Sequence, residues 1–250
     1  MDALLRADPV VPQRFLIVET GQPLPALRRH GGFPHWIRVA AGLAERDTAT
    51  VDVEAGETLP AADGFAGVIV TGSGAMVSDR LDWSERTAAW LAEVARAGIP
   101  VLGICYGHQL LAHALGGEVG DHPGGREMGT FEIVLEDAAR DDAVLGPLPS
   151  RFDAQLTHVQ SVLRLPDGAT VLARSAHEPV QAFRWGEAAW GVQFHPEFSA
   201  THMRGYIRAR RVALMREGQD PDALSKAVGA APQGRRVLKR FVHVAREARA

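Results

Sequence analysis

The sequence predicts an α/β fold: a mostly parallel sheet flanked by helices, with added antiparallel strands and a C-terminal helical extension. Three observations carry this expectation. Short apolar runs alternate with helix-length amphipathic stretches as far as residue 117. After residue 118 the apolar runs follow one another without full helices between them, as strands of hairpins do. From Arg204 onward the chain is rich in arginine, with Tyr206, Ile207, Val212 and Leu214 spaced to offer an apolar stripe to a main body. With 250 residues, 46% hydrophobic and 23% charged, the chain can bury one substantial core, so the expected division is a main domain over 1–200 and a packed extension over 201–250.

Each element has its own reason. "RFLIVET" (14–20) is a run of β-formers stopped by Gly21 and Pro23, as a strand buried on both faces would be. "PHWIRVAAGLAE" (34–45) reads as a helix, and "TATVDVE" (48–54) alternates Val51 and Val53 with acids, which is a strand pattern. "GFAGVIVTGSG" (64–74) is a buried strand running into a glycine turn. Asp82 and Glu85 suggest a capping box for a helix that continues through Trp90, Leu91 and Val94 and stops at Gly98. "IPVLGIC" is the next strand, and "YGHQLLAHALGG" a helix closed by Gly116 and Gly117. Beyond it, 129–135, 170–176, 180–185 and 188–194 read as strands, and "AVGAAPQGRR" (227–236) as a linker separating two tail helices. A parallel sheet of this kind places its ligands at the carboxyl ends of its strands.

Bulk composition narrows the function. A single cysteine rules out an internal disulfide and points to a reducing compartment, leaving Cys105 as either a small buried hydrophobe or a nucleophile. Neither a signal peptide nor a run approaching roughly 20 apolar residues is evident, so a cytoplasmic location is expected. The net charge of −3 hides a basic tail, best read as arginines on solvated helix faces; neither nucleic acid nor membrane is an expected partner.

The cysteine sits in Gly103-Ile104-Cys105-Tyr106-Gly107, at the junction of a strand and a helix. This has the form of a nucleophile elbow, a sharp turn whose central residue stands exposed at the top of the sheet. A side chain at either glycine would press on the facing strand or helix in so tight a turn. The following helix directs its N-terminal N–H groups at the sulfur and favours the thiolate. A thiol nucleophile needs a base and the base an orienting group. "GVQFHPEF" (191–198) supplies both, because Pro196 keeps the backbone extended and His195 and Glu197, two apart, leave the same face.

"GICYGHQL" followed about 90 residues later by "GVQFHPEF" resembles the class I glutamine amidotransferases over roughly residues 14–200. The resemblance implies the flavodoxin-like fold of that family and a Cys-His-Glu triad that hydrolyses glutamine to glutamate and ammonia. By it, Cys105 is the nucleophile forming a γ-glutamyl thioester, His195 the general base and acid, and Glu197 its orienting partner. The Tyr106 N–H, directly after the nucleophile, is one expected oxyanion donor. The other falls on Ser73, within Thr71-Gly72-Ser73-Gly74, where the family commonly has Ser-Gly-Gly-Pro; the departure leaves the shape of the turn open. "GSGAMV" lacks the third glycine of a dinucleotide loop. Gln109 and the backbone of Thr157, His158 and Val159 are implied to hold the amino-acid end of the substrate, with a structural role for His158 left open beside that one.

His108 and His113, five apart and without a cysteine pair or an HExxH pattern, read as packing or solvated residues, so neither metal nor cofactor is expected. No GxxxxGK[ST] loop is present. The resemblance therefore implies glutamine or another γ-glutamyl compound as substrate. Two settings remain, a subunit feeding a synthetase partner and a free-standing hydrolase of γ-glutamyl compounds; the reading leans to the second. A non-catalytic binding module fits an intact triad less well.

Overall fold

The computed structural model describes residues 14–249. Strands β1 (Phe15–Glu19), β2 (Thr48–Asp52), β3 (Gly67–Val70), β4 (Val101–Ile104) and β11 (Ala189–Val192) form a parallel core in the order β2-β1-β3-β4-β11. β10 (Ala182–Trp185), β9 (Ala169–Arg174), β6 (Glu127–Leu135) and β7 (Arg151–His158) continue the same nine-stranded sheet with antiparallel pairing. β5 (Glu118–Asp121) and β8 (Gln160–Arg164) form a separate antiparallel pair.

The apolar runs are continuous because both faces of the parallel core are covered. Phe15, Ile17, Ile69 and Leu102 face one side, against α1 (Phe33–Ala41) and α7 (Pro232–Glu247). Leu16, Val18, Val68, Val70 and Val101 face the other, against α2 (Asp82–Arg96) and α3 (Tyr106–Ala114). The last helix is deeply involved: Val237, Leu238 and Phe241 are fully buried, and the Phe241 ring lies 6.3 Å from that of Phe15 and 6.1 Å from that of Trp190. A third cluster joins Phe33 and Trp36 to Phe198, Met203, Tyr206 and Leu214, and so ties α4 (Ala200–Ala209) and α5 (Arg211–Arg216) to the rim of the parallel sheet.

Four expectations are corrected. The capping box over Asp82 and Glu85 does not form: Leu81 is the N-cap, Asp82 is already helical, and Glu85 Oε1 is 3.0 Å from His113 Nε2 on the neighbouring helix. The tail holds four helices rather than two, because Gly218, in a left-handed conformation, follows α5 and Asp220 caps α6 (Pro221–Ala227). The break before α7 is accordingly only residues 228–231. Val212 lies outside the buried stripe, 63% exposed, whereas Tyr206, Ile207 and Leu214 are buried. No helix among the described residues is long and apolar enough to cross a membrane.

Candidate active site

Residues from several separate chain segments meet at the carboxyl edge of the parallel strands. β4 runs into Cys105, whose N–H donates to the Val192 carbonyl at 2.8 Å, so the 103–107 turn is anchored on β11, the strand that leads to His195. Cys105 has φ 52° and ψ −102°, a positive-φ conformation rare for a residue with a side chain and costing of the order of 1–3 kcal/mol. The surrounding glycines force and permit it. A Cβ on Gly103 would come within 2.3 Å of the Gly107 carbonyl oxygen, and one on Gly107 within 2.6 Å of the Val70 carbonyl oxygen.

The elbow is therefore overdetermined by backbone packing. Gly103→Ala is expected to destabilise the fold by about 3 kcal/mol or more, because the obstructing atoms are backbone and cannot swing aside. Gly64→Ala, with open space around it, is expected to be near neutral. Urea denaturation of both variants checks the contrast.

The turn does not expose the cysteine at the top of the sheet as the sequence suggests. Cys105 is buried in the wall of a pocket, with Sγ 3.9 Å from the Thr157 carbonyl oxygen. His195, buried beside it, directs Nδ1 to Glu197 Oε1 at 2.8 Å, and Nε2 has no hydrogen-bond partner among the described residues. Burial opposes a charge on this ring, but the Glu197 carboxylate and Cys105 outweigh it and hold the imidazole up at about 10. Gly72 fits between the two side chains: a Cβ there would be 3.0 Å from His195 Cε1 and 3.8 Å from Cys105 Cβ. Phe198 stacks on the His195 ring at 4.0 Å and fixes its plane.

The two expected oxyanion donors lie on this same edge. Tyr106 opens α3, so its N–H has no intrahelical acceptor. Its phenol points away into the core, 2.6 Å from Ser84 Oγ, and burial raises it to about 12. The 71–74 turn is braced by Thr20, whose N–H donates to Thr71 Oγ1 (3.0 Å) and whose hydroxyl donates to the Thr71 carbonyl (3.0 Å). Ser73 does not adopt a positive φ, so serine at this position meets no backbone penalty, and its Oγ accepts from the Ala75 N–H at 3.0 Å. The Ser73 N–H donates to no acceptor among the described residues.

Gln109, Thr157, His158 and Val159 all line the pocket. The Gln109 Nε2 donates both its hydrogens inward, to the Gln160 carbonyl (2.7 Å) and to Gln193 Oε1 (2.9 Å), so Oε1 is the free end. The ring of His158 is fully engaged, with Nδ1 3.0 Å from the Gln160 carbonyl oxygen and Nε2 3.0 Å from Glu127 Oε2, which leaves its backbone to face the pocket. His108 is wholly buried against Phe183, and burial pushes it down to about 3; His113 pairs with Glu85. Among the described residues no three metal-ligating side chains gather.

Sequence reasoning missed the outer wall of the pocket, which Gln22, Leu24, Phe33, Arg126, Tyr206 and Arg210 supply. Gln22 is held by Glu19, whose Oε1 accepts from its amide at 2.7 Å; burial and then the nearby Asp52 raise that carboxyl to about 7. None of these residues belongs to a local motif.

Comparison with known proteins agrees with the geometry. The family model of the class-I glutamine amidotransferases matches residues 33–213. A protein of Aeropyrum pernix named GMP synthase [glutamine-hydrolyzing] is 46% identical over 147 residues, 58% of this chain and 26% of that protein. One of the same name from Thermomicrobium roseum is 40% identical over 141 residues, 56% of this chain and 25% of its own. This chain thus spans about a quarter of the length of the relatives it matches. The crystal structure of a glutamine amidotransferase from Thermotoga maritima shares the fold, with TM-score 0.72 at 21% identity over 92% of this chain and 96% of that one. One from Methylobacillus flagellatus gives TM-score 0.65 at 23% identity, covering 95% and 90%. The match to the family model across most of the chain, over the segment that carries Cys105 and His195, shows that this protein belongs to the class I glutamine amidotransferases.

Proposed function

We propose that the chain hydrolyses the γ-amide of glutamine, releasing ammonia through a thioester on Cys105. The observation that carries this reading is the convergence on Gly72 of a strained cysteine at a helix N-terminus and a histidine whose far nitrogen is taken by a buried carboxylate. The Cys105 thiolate attacks the γ-carbonyl carbon, and the Tyr106 and Ser73 N–H groups receive the oxyanion. As the intermediate collapses, the imidazolium gives its Nε2 proton to the leaving nitrogen; the C–N bond breaks, ammonia departs and the thioester remains. His195 then takes a proton from water, the resulting hydroxide adds to the thioester, and the C–S bond breaks to release glutamate. The free Oε1 of Gln109 accepts from the substrate ammonium, and the backbone of residues 157–159 borders the same end of the substrate. The division into a domain over 1–200 and a packed extension over 201–250 belongs to this reading, and the buried face of α7 supports the packing.

The free-standing setting is the one we favour. A second setting, a glutaminase serving a synthetase partner, is supported by relatives named GMP synthase in which the matched stretch is about a quarter of the protein. One assay separates them. The purified chain is expected to release glutamate from glutamine, or from a γ-glutamyl peptide, without nucleotide or second protein, and a diazo-ketone analogue of glutamine is expected to label Cys105 stoichiometrically by intact mass. Labelling without turnover, with turnover restored by a synthetase, would replace the free-standing setting by the coupled one. A folded, reduced protein that is not labelled would overturn the catalytic thiol.

A further inference from the structure

Among the described residues, the lining of the pocket around Cys105 contains no aspartate or glutamate but two arginines, Arg126 and Arg210. They are not equivalent. Arg126 is neutralised by a bidentate pair with Glu217, Nε to Oε2 at 2.8 Å and Nη2 to Oε1 at 3.0 Å. The Arg210 guanidinium makes no hydrogen bond or ion pair with any described residue, which leaves the pocket one cation without a counter-charge.

The position of Arg210 is nevertheless fixed. It is the joint between α4 and α5, where its N–H donates to the Tyr206 carbonyl (2.9 Å) and its carbonyl accepts from the Leu214 N–H (3.0 Å), and both neighbours are buried. The Tyr206 ring also lines the pocket and lies 5.0 Å from that of Phe198, which stacks on His195. A continuous packed wall therefore runs from the joint carrying Arg210 to the reacting groups.

A γ-glutamyl donor brings an ammonium and at least one carboxylate. Gln109 Oε1 suits the ammonium, but no side chain assigned so far answers an anion. We propose that Arg210 is a specificity-determining residue that pairs with a carboxylate of the donor, either the α-carboxylate of its glutamyl part or one carried by its γ-substituent. The proposal rests on reading the pocket as a γ-glutamyl site, and its chemistry is a charge-assisted, forked hydrogen bond for which lysine is an incomplete substitute.

The test reads Cys105 labelling, so it needs neither turnover nor a partner. For the α-carboxylate, wild type, Arg210→Gln and Arg210→Lys are labelled with the diazo-ketone glutamine analogue, with the same analogue as its α-amide, and with iodoacetamide. The expected result is labelling by the acid slowed roughly 10- to 100-fold in Arg210→Gln and partly recovered in Arg210→Lys. Labelling by the α-amide and by iodoacetamide should be unchanged. For a carboxylate on the γ-substituent, protection by γ-glutamylglycine is compared with protection by γ-glutamylmethylamide; a loss in Arg210→Gln confined to the former assigns the pairing there. Equal labelling and equal protection in all three proteins would overturn the role of Arg210 while leaving the site intact. A wild-type protein labelled by iodoacetamide but by neither diazo-ketone would instead overturn the γ-glutamyl reading itself, and the proposal with it.

Discussion

Cys105→Ala and His195→Ala are each expected to remove glutamine hydrolysis to background, a loss in kcat of roughly 10⁵- to 10⁶-fold. The two losses should be about equal, and the double variant little worse than either alone, as expected where a nucleophile and its base act as one unit. The structure adds a physical reason. His195 Nε2 is buried with no hydrogen-bond partner among the described residues, and Cys105 is held in a strained conformation that places it in the wall of the pocket. In Cys105→Ala the His195–Glu197 pair stays intact and the fold should be retained. In His195→Ala the Glu197 carboxyl, already lacking a partner at Oε2, loses the one it has among the described residues at Oε1 and is left buried and unpaired. Denaturant midpoints should therefore fall in His195→Ala more than in Cys105→Ala, although turnover is lost in both. A wild-type-like rate in folded His195→Ala would remove it from the mechanism.

The parts of this architecture that rest on local sterics are legible in the sequence. β1, β3 and β4 are apolar on both faces because helices cover both, and a strand covered on only one side would interrupt a run such as "FLIV" with polar residues. The elbow is readable for the same kind of reason: two glycines flanking a cysteine at a strand end make sense only if neighbouring backbone occupies the space of their missing side chains, as it does. β7 is not legible as a strand, though Phe152, Ala154 and Leu156 alternate with polar residues. Gln155 and His158, buried and polar, disguise the pattern until their partners Thr130 and Glu127 on β6 are seen. In the tail, Gly218 and the Asp220-Pro221 pair are ordinary stop and start signals that split what reads as one long amphipathic stretch.

The site divides in the same way. Cys105, His195 and Glu197 stand in short motifs at strand ends, so their chemistry can be read from neighbours in sequence. The bracing of the 71–74 turn by Thr20, the tethering of Gln22 by Glu19 and the approach of Tyr206 and Arg210 depend on which strand ends and helix joints share an edge. No local periodicity encodes that. Serine at position 73 poses a question about the oxyanion turn that only backbone angles can address, since a glycine is needed there only if φ is positive.

Glu197→Gln is expected to retain a measurable rate, down roughly 10²- to 10⁴-fold, because the orienting member of a triad costs less than the nucleophile or base. Its distinctive signature is the titration of His195. In the wild type two influences compete on the ring: burial disfavours the imidazolium, while the Glu197 carboxylate 2.8 Å from Nδ1, with Cys105 behind it, favours it and prevails at about 10. A ring raised in this way stays protonated from acid pH through neutrality and gives up its proton only as pH climbs toward 10. Glutamine at 197 can still accept from Nδ1–H, so the orientation survives, but the charge does not. Burial then faces only the attraction of Cys105, and the midpoint must move down. Proton NMR of the His195 Cε1–H across pH 5 to 11 should show the wild-type signal still that of the imidazolium at pH 8, and the variant midpoint shifted toward or below the ordinary histidine value of roughly 6.5. At pH 8 the variant ring is then largely neutral and has no Nε2 proton to spare for the departing ammonia, so the loss of rate should grow with pH between 6 and 9. An unchanged His195 midpoint in the variant would mean that Glu197 orients the ring without supplying the charge that keeps it an acid.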